Sequence, residues 1–399
     1  MSTAALAQAP AKGAATTTLA LARAEAPATS APAPAPAKGA AAAAPASEEA
    51  APAPEPAPAP AAPTGIELPT ELPAPEQIPG RVDAPAPTNF PVVTFGVLSF
   101  LQYDAELHES DGYNAFDITR GYLNIRARLN DRVSFRFTPD VRPTTDVNLE
   151  QNLALRLEYA SLDVKATDNI TLMFGLHEMP WLVFEETLNR YRVIGPFFSE
   201  RLGLIPGPVD LGMSVKATTG RTEVHLGVYN GEGFGRAEID KYKSIDGRAT
   251  FRPFDEDSEL GKVSISGFYQ YGWYARDRPR NVAIGMATYE NTNIVITGQY
   301  LSATDNPFVA VDVQRRGMSF FGEFRRDVTG WAGVGGLDLF DPDADNDSDS
   351  RRRYFFGPAY WSQVGRGRIG VVVTLDQVYS TSNSQLLERR LLAQTQVEF

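Results

Sequence analysis

The most informative chemistry in this chain is charge placed at two-residue spacing. Arg126 and Arg128 share one face of Tyr122-Leu-Asn-Ile-Arg-Ala-Arg-Leu129, and Arg132 and Arg136 share one face of Arg132-Val-Ser-Phe-Arg-Phe137. Arg156 follows in the next segment of the same texture. A second charged set, Glu185, Glu186, Arg190 and Arg192, lies in one connection (residues 179–208), just after His177 and Glu178. Guanidinium and carboxylate groups facing each other across a narrow water-filled gap produce a strong transverse field, which orients dipoles and sorts ions. The competing reading pairs the Arg set with Glu158, Asp163 or Glu178, so that the charges only brace neighbouring strands.

Bond-making chemistry finds little support. The chain has no Cys, which excludes a disulfide framework, a thiolate metal cluster and a cysteine nucleophile. Its three His (His108, His177, His225) are too scattered for a metal motif. No G-x-S-x-G elbow occurs, and Gly231-Glu-Gly-Phe-Gly235 lacks the strand-to-helix context of a nucleotide-binding turn. Asp341, Asp343, Asp345, Asp347 and Asp349 alternate like calcium ligands, but the Gly and the twelfth-position Glu of an EF-hand loop are missing. The segment reads as an acidic outer loop with a loosely held calcium ion as a weak candidate, and no other cofactor is expected. A net charge of −12 argues against nucleic-acid binding, which requires a basic face.

The elements that must position these charges begin late in the chain. Residues 1–63 hold 29 Ala and 12 Pro, and all 41 aromatic residues of the protein lie from Phe90 onward. The first part cannot bury enough apolar surface to offset its ordering entropy. Residues 1–91 are therefore expected to form a disordered Pro/Ala tether. The Ala5-Leu6-Ala7 stretch before Gln8 has the form of a signal-peptidase site.

From residue 92 to 399, period-2 alternation recurs and predicts strands. Sixteen are read, joined alternately by tight turns such as Asn130-Asp131 and Gly365-Arg366 and by longer loops. Two adjacent strands, 308–315 and 318–327, are expected to turn at Arg316-Gly317, with 328–350 as a long loop. Polar faces carrying Arg, Glu and Asn rule against a sandwich core. An even strand count with one short-turn rim and one long-loop rim is the pattern of an all-β, transmembrane antiparallel barrel. Aromatic residues near strand ends (Phe90, Phe95, Tyr103, Trp181, Tyr229, Tyr274, Tyr300, Tyr360 and Trp361) are expected to form its interfacial girdles.

The chain closes on Phe399, preceded at alternate positions by Val397, Thr395, Ala393 and Leu391. This resembles the assembly signal of bacterial outer-membrane barrels. More specifically, residues 92–399 resemble the phosphate-selective porin O/P family. The similar stretches are Gly121-Tyr-Leu-Asn-Ile-Arg-Ala-Arg-Leu129 with Val133-Ser-Phe-Arg-Phe137, Leu172-Met-Phe-Gly-Leu-His-Glu-Met-Pro-Trp181, Asp210-Leu-Gly-Met-Ser-Val215, Gly227-Val-Tyr-Asn-Gly-Glu-Gly233 and Arg368-Ile-Gly-Val-Val372. The resemblance implies a sixteen-stranded, often trimeric diffusion pore in a Gram-negative outer membrane. It also implies contact with outer-membrane lipid, lipopolysaccharide and the barrel assembly machinery. The tether would then reach toward peptidoglycan from the periplasmic rim. One departure is that Leu176-His-Glu-Met179 stands where relatives carry Lys, and residues 92–399 hold only five Lys, so phosphate specificity is not carried over.

The expectation is thus a porin for small hydrophilic solutes or ions, with a weak anion preference set by the Arg wall. Its 179–208 connection is too apolar to be solvated, and it is expected to fold into the lumen as a constriction. The alternative is a structural or adhesive barrel that conducts little and links envelope layers through the tether.

Overall fold

The computed structural model describes residues 90–399 apart from 110–111, 144–152, 237, 239–240, 256–257, 259–261, 276–277, 307–311 and 347. The tether expected over residues 1–91 lies almost wholly outside the described residues, as does Asp347. Sixteen strands follow in chain order: β1 (Val92–Glu106), β2 (Asn114–Arg128), β3 (Val133–Pro143), β4 (Leu153–Thr167), β5 (Ile170–Glu178), β6 (Val209–Thr219), β7 (Thr222–Tyr229), β8 (Ser244–Phe251), β9 (Lys262–Ala275), β10 (Arg278–Glu290), β11 (Ile294–Asp305), β12 (Val313–Arg325), β13 (Gly330–Asp341), β14 (Arg351–Val364), β15 (Gly367–Ser380) and β16 (Leu386–Glu398). Each pairs antiparallel with its sequence neighbours, and β1 pairs with β16 to close the barrel.

The barrel turns its apolar side chains outward. In β8, Ser244, Asp246, Arg248 and Thr250 are buried while Ile245, Ala249 and Phe251 are exposed. Phe95, Phe116, Leu155, Phe174 and Trp331 all exceed 60% exposure on the outer wall. Water outside would make this arrangement untenable. A hydrocarbon surround makes it the stable one, because closure leaves no sheet edge and pairs every strand. Thr395, Val397 and Phe399 also face outward along β16, and the Phe399 carbonyl accepts from the Val97 amide at 2.8 Å across the seam.

Two sequence expectations are corrected. Arg316-Gly317 is no turn: both residues lie within the continuous β12, paired with Asp341 and Phe340. The missing strand is β13, inside the stretch assigned to a loop. Its Gly330, Gly333, Gly335 and Gly336 weaken the strand signal, since glycine is depleted in strands. The alternation nevertheless persists, with Ala332, Val334 and Asp338 buried and Trp331 and Leu339 exposed. Among the girdle aromatics, Phe95, Tyr300 and Tyr360 face outward, but Trp181, Tyr229 and Trp361 are fully buried inside the barrel. Trp181 and Trp361 pack the inserted loop, and Tyr229 donates to the Glu178 carbonyl of β5 at 2.9 Å.

Candidate functional site: a half-filled lumen with a basic wall

The connection between β5 and β6 folds into the barrel. It contains helix α1 (Leu182–Leu188), a single 3-10 turn at Arg192–Ile194 and a one-turn helix α2 (Phe198–Arg201). Its apolar residues find cover on the inner wall. Trp181, Leu182, Phe184, Phe197, Phe198, Leu204 and Ile205 pack with Phe268, Val282, Ile284, Met286 and Leu301 of β9, β10 and β11. Farther along, Tyr191 and Val193 pack with Phe321, Trp361 and Val372 of β12, β14 and β15. Several lumen-facing positions of those strands, Phe268, Ile284, Met286 and Leu301 among them, are therefore apolar, against the usual polar lining of a water-filled barrel. Gly317 makes room for this packing, because a Cβ there would lie 2.7 Å from the Phe198 ring.

Polar contacts pin the loop at several points. Glu323 of β12 is 1% exposed and accepts from Arg190 Nε at 3.0 Å, from Tyr191 Oη at 2.6 Å and from Arg325 Nη1 at 2.7 Å. Trp361 Nε1 donates to Tyr191 Oη at 3.2 Å, and the Arg190 guanidinium lies 4.5 Å from the Trp361 ring centre. Arg201 pairs with Asp338, which also accepts from Arg353 at 3.2 Å. Gln394 Nε2 donates to the Val193 carbonyl at 2.7 Å.

Glu185 is buried against β11, where one carboxyl oxygen accepts from Gln299 Nε2 at 2.8 Å and the other has no hydrogen-bond partner. Burial pushes this loop carboxyl from 4.5 up to about 7, with the Gln299 bond and nearby Arg192 opposing the rise. The docked loop thus holds a proton more tightly than a free loop. The stabilisation is complete below the ordinary carboxylate range and is lost as pH rises through about 7. Current through the barrel should become noisier between pH 5 and pH 8, and Glu185→Gln should flatten that dependence. Noise recorded across that range checks it.

The opposite side of the lumen, from β1 to β5, carries the basic wall. Arg126 and Arg136 stand directly opposite each other in the β2–β3 register, both facing inward. Arg136 donates to Asn124 Oδ1 at 2.9 Å and to Thr138 Oγ1 at 3.2 Å, and its guanidinium sits 3.3 Å from the Tyr159 ring centre. Among the described residues no ion pair joins Arg126 or Arg136 to a carboxylate. Arg156, also inward, is held by Asp140 at 2.6 Å and lies 4.3 Å from the Phe234 ring centre. Arg128 is exposed and lies 5.3 Å from the Phe90 ring centre at the strand's end. Arg132 stands apart: it belongs to the short β2–β3 turn, where its amide donates to Asn130, and it is exposed at the rim.

The remaining candidates divide likewise. Glu186 and Glu200 flank Arg192, at 3.0 and 2.5 Å, and their field reaches Arg120 on the basic wall. Glu185 and Arg190 point into the wall instead. His177 is 1% exposed and shares Ser214 Oγ with His225, at 2.9 and 3.0 Å. Glu178 pairs with Lys216 at 3.1 Å. In the acidic loop, Asp341 ends β13 and pairs with Arg316 at 3.0 Å, and Asp343 accepts the Asp345 amide at 3.1 Å. Among the described residues, no three His, Asp or Glu side chains, Asp349 included, converge to hold a metal ion.

Arg120 was not singled out in the sequence. It faces inward on β2, donates to Tyr122 Oη at 2.7 Å and lies between the Phe100 and Tyr122 rings. The two-residue step that marks Arg128 and Arg126 continues through Asn124 and Tyr122 to this residue.

No family model and no curated protein matches the chain, so the resemblance to the phosphate-selective porin O/P family rests on its short motifs alone. Solved structures do match. An anion-selective porin from Comamonas acidovorans superposes with a TM-score of 0.57 at 11% identity, covering 77% of this chain and 99% of that one. Outer-membrane expressed OmpT of Vibrio cholerae gives a TM-score of 0.56 at 10% identity, over 78% of this chain and 99% of that one. The chain shares with these outer-membrane proteins its barrel fold.

Proposed function

We propose that this protein is an outer-membrane porin through which small hydrophilic solutes and ions diffuse passively, with a preference for anions. The observation that carries the reading is the Arg126–Arg136 pair. Like charges directly across a strand pair repel; Arg136 has only neutral hydrogen-bond partners, and among the described residues no ion pair joins either guanidinium to a carboxylate, the field of Asp163 reaching both from the neighbouring strand. A mobile anion in the lumen would neutralise them. Across the gap, Glu186 and Glu200 on the inserted loop complete a transverse field of the kind that sorts ions. The fold likeness to an anion-selective porin supports the same reading. Location in a bacterial outer membrane with the short-turn rim toward the periplasm, and assembly as a homotrimer, belong to this proposal.

The test is single-channel recording in a planar bilayer under a KCl gradient. Open, ohmic channels with a reversal potential on the chloride side are expected. A correctly folded barrel that passes no current would overturn the porin reading, and a reversal potential on the potassium side would overturn the anion preference.

A further inference from the structure

The register of the basic wall offers Arg136 two different neighbours. Directly across from it on β4 stands Ser161, and the two diagonal positions on the same inward face are Tyr159 and Asp163. Diagonal neighbours on adjacent strands lie about 7–8 Å apart, within reach of a long side chain. A guanidinium offered a carboxylate at that range would ordinarily take it, because a charge-assisted pair is the stronger bond. Arg136 takes the other side. Its guanidinium lies 3.3 Å from the Tyr159 ring centre, and its Nε and Nη2 donate to Thr138, which is paired with Tyr159, and to Asn124. Asp163 keeps its Oδ1 buried without a hydrogen-bond partner, although its field reaches both Arg126 and Arg136.

The groups that hold Arg136 are all neutral, and their hydrogen bonds have one direction. The Thr138 hydroxyl accepts from Arg136 Nε and donates to Asn124 Oδ1 at 3.0 Å. Asn124 Oδ1 thus receives both Thr138 and Arg136 Nη2, which fills its two lone pairs. Tyr159 and Thr138 are buried, so this clasp is packed in place. An aromatic face attracts a cation without cancelling its charge; a carboxylate would cancel it. We infer that Tyr159 is a specificity-determining positioning residue: with Thr138 and Asn124 it holds the Arg136 charge in the lumen opposite Arg126 and out of an ion pair with Asp163. The inference rests on the anion-preferring reading above.

The readout is the chloride-to-potassium permeability ratio of the full chain in a planar bilayer, over a cycle of Tyr159→Leu and Asp163→Asn. Tyr159→Leu removes the ring and should lower the ratio about twofold, because one of the two facing charges is then spent on Asp163. Tyr159→Phe keeps the ring and should hold the wild-type ratio. Asp163→Asn should raise the ratio more in the Tyr159→Leu barrel than in the unaltered one, since only there does Asp163 hold Arg136. A ring that merely packs would leave the two gains equal. Equal gains, an unchanged ratio in Tyr159→Leu, or a fall of the same size in Tyr159→Phe would each overturn the inference. Thr138→Val takes one acceptor from the clasp without touching the ring, and it carries the test if Tyr159→Leu does not fold. It should lower the ratio in the same direction, and no change there would also overturn the inference. The unaltered barrel reports on the porin reading by itself: a reversal potential on the potassium side sinks the anion preference while the cycle still reads the clasp, and a silent barrel sinks both.

Discussion

On the proposed anion preference, exchanging both Arg126 and Arg136 for Glu is expected to make the channel cation-preferring. Two guanidiniums facing the same water are replaced by two carboxylates, a swing of four unit charges. One unit charge acts on an ion 4 Å away with about 1 kcal/mol in water, and salt at 0.1 M screens over about 10 Å. Even with most of that swing screened, about tenfold in the chloride-to-potassium permeability ratio remains, which needs only about 1.4 kcal/mol. The change should shrink as salt is raised. Single exchanges should give intermediate ratios, while Arg132→Glu should change little because Arg132 lies in the rim turn. Reversal potentials at two salt gradients check all three. An unchanged ratio in the double variant would place the permeation path away from the β2–β3 wall.

Glu323→Ala should release the inserted loop. This carboxylate takes hydrogen bonds from Arg190, Tyr191 and Arg325, and it is almost wholly buried. Removing one partner of a buried charge pair costs about 3–5 kcal/mol, because the other charges lose their compensation. The loss falls on the loop and not on the barrel, whose strands keep their ladders. Expected results are larger conductance, frequent sublevels and protease cleavage within 179–208, at an unchanged barrel melting temperature. Tyr191→Phe removes one hydrogen bond from the same acceptor and should cost about 1 kcal/mol, giving a milder form of the phenotype. Single-channel recording with limited proteolysis separates the two variants. Unchanged conductance in Glu323→Ala would mean that apolar packing alone holds the loop.

Much of this was legible in the sequence because a barrel wall writes itself in period two. Arg126 and Arg136 could be assigned inward from alternation alone, since their neighbours Ile125, Ala127, Phe135 and Phe137 needed the apolar side. The inserted loop was legible for a related reason: Trp181, Phe184, Phe197 and Phe198 are too many large apolar residues for a solvated connection. Which way each loop charge points was not legible. Glu185 and Arg190 look like lumen-facing charges until Gln299 and Glu323, more than a hundred residues away, are seen to receive them. The glycines of β13 and Gly317 misled for a different reason. Gly317 reads as a turn and the β13 glycines dilute the strand pattern into an apparent loop, whereas Gly317 is small because Phe198 from the inserted loop presses on it. Steric demands from distant segments leave no local pattern.

The seam between β1 and β16 has a kinetic consequence. Leu98 pairs with Glu398, and Gln102 with Gln394, so the contacts that close the cylinder join segments from nearly opposite ends of the described chain. No shorter loop can stand in for them. Until β16 docks, fifteen strands present two unpaired edges, each able to template pairing with another chain. The entropy of joining such distant segments must be met before the last ladder returns any enthalpy. Closure therefore carries the largest loop entropy of any ladder in the wall, and substitutions along this single ladder are expected to act on the folding rate of the whole cylinder, which refolding kinetics of variants in β16 would check.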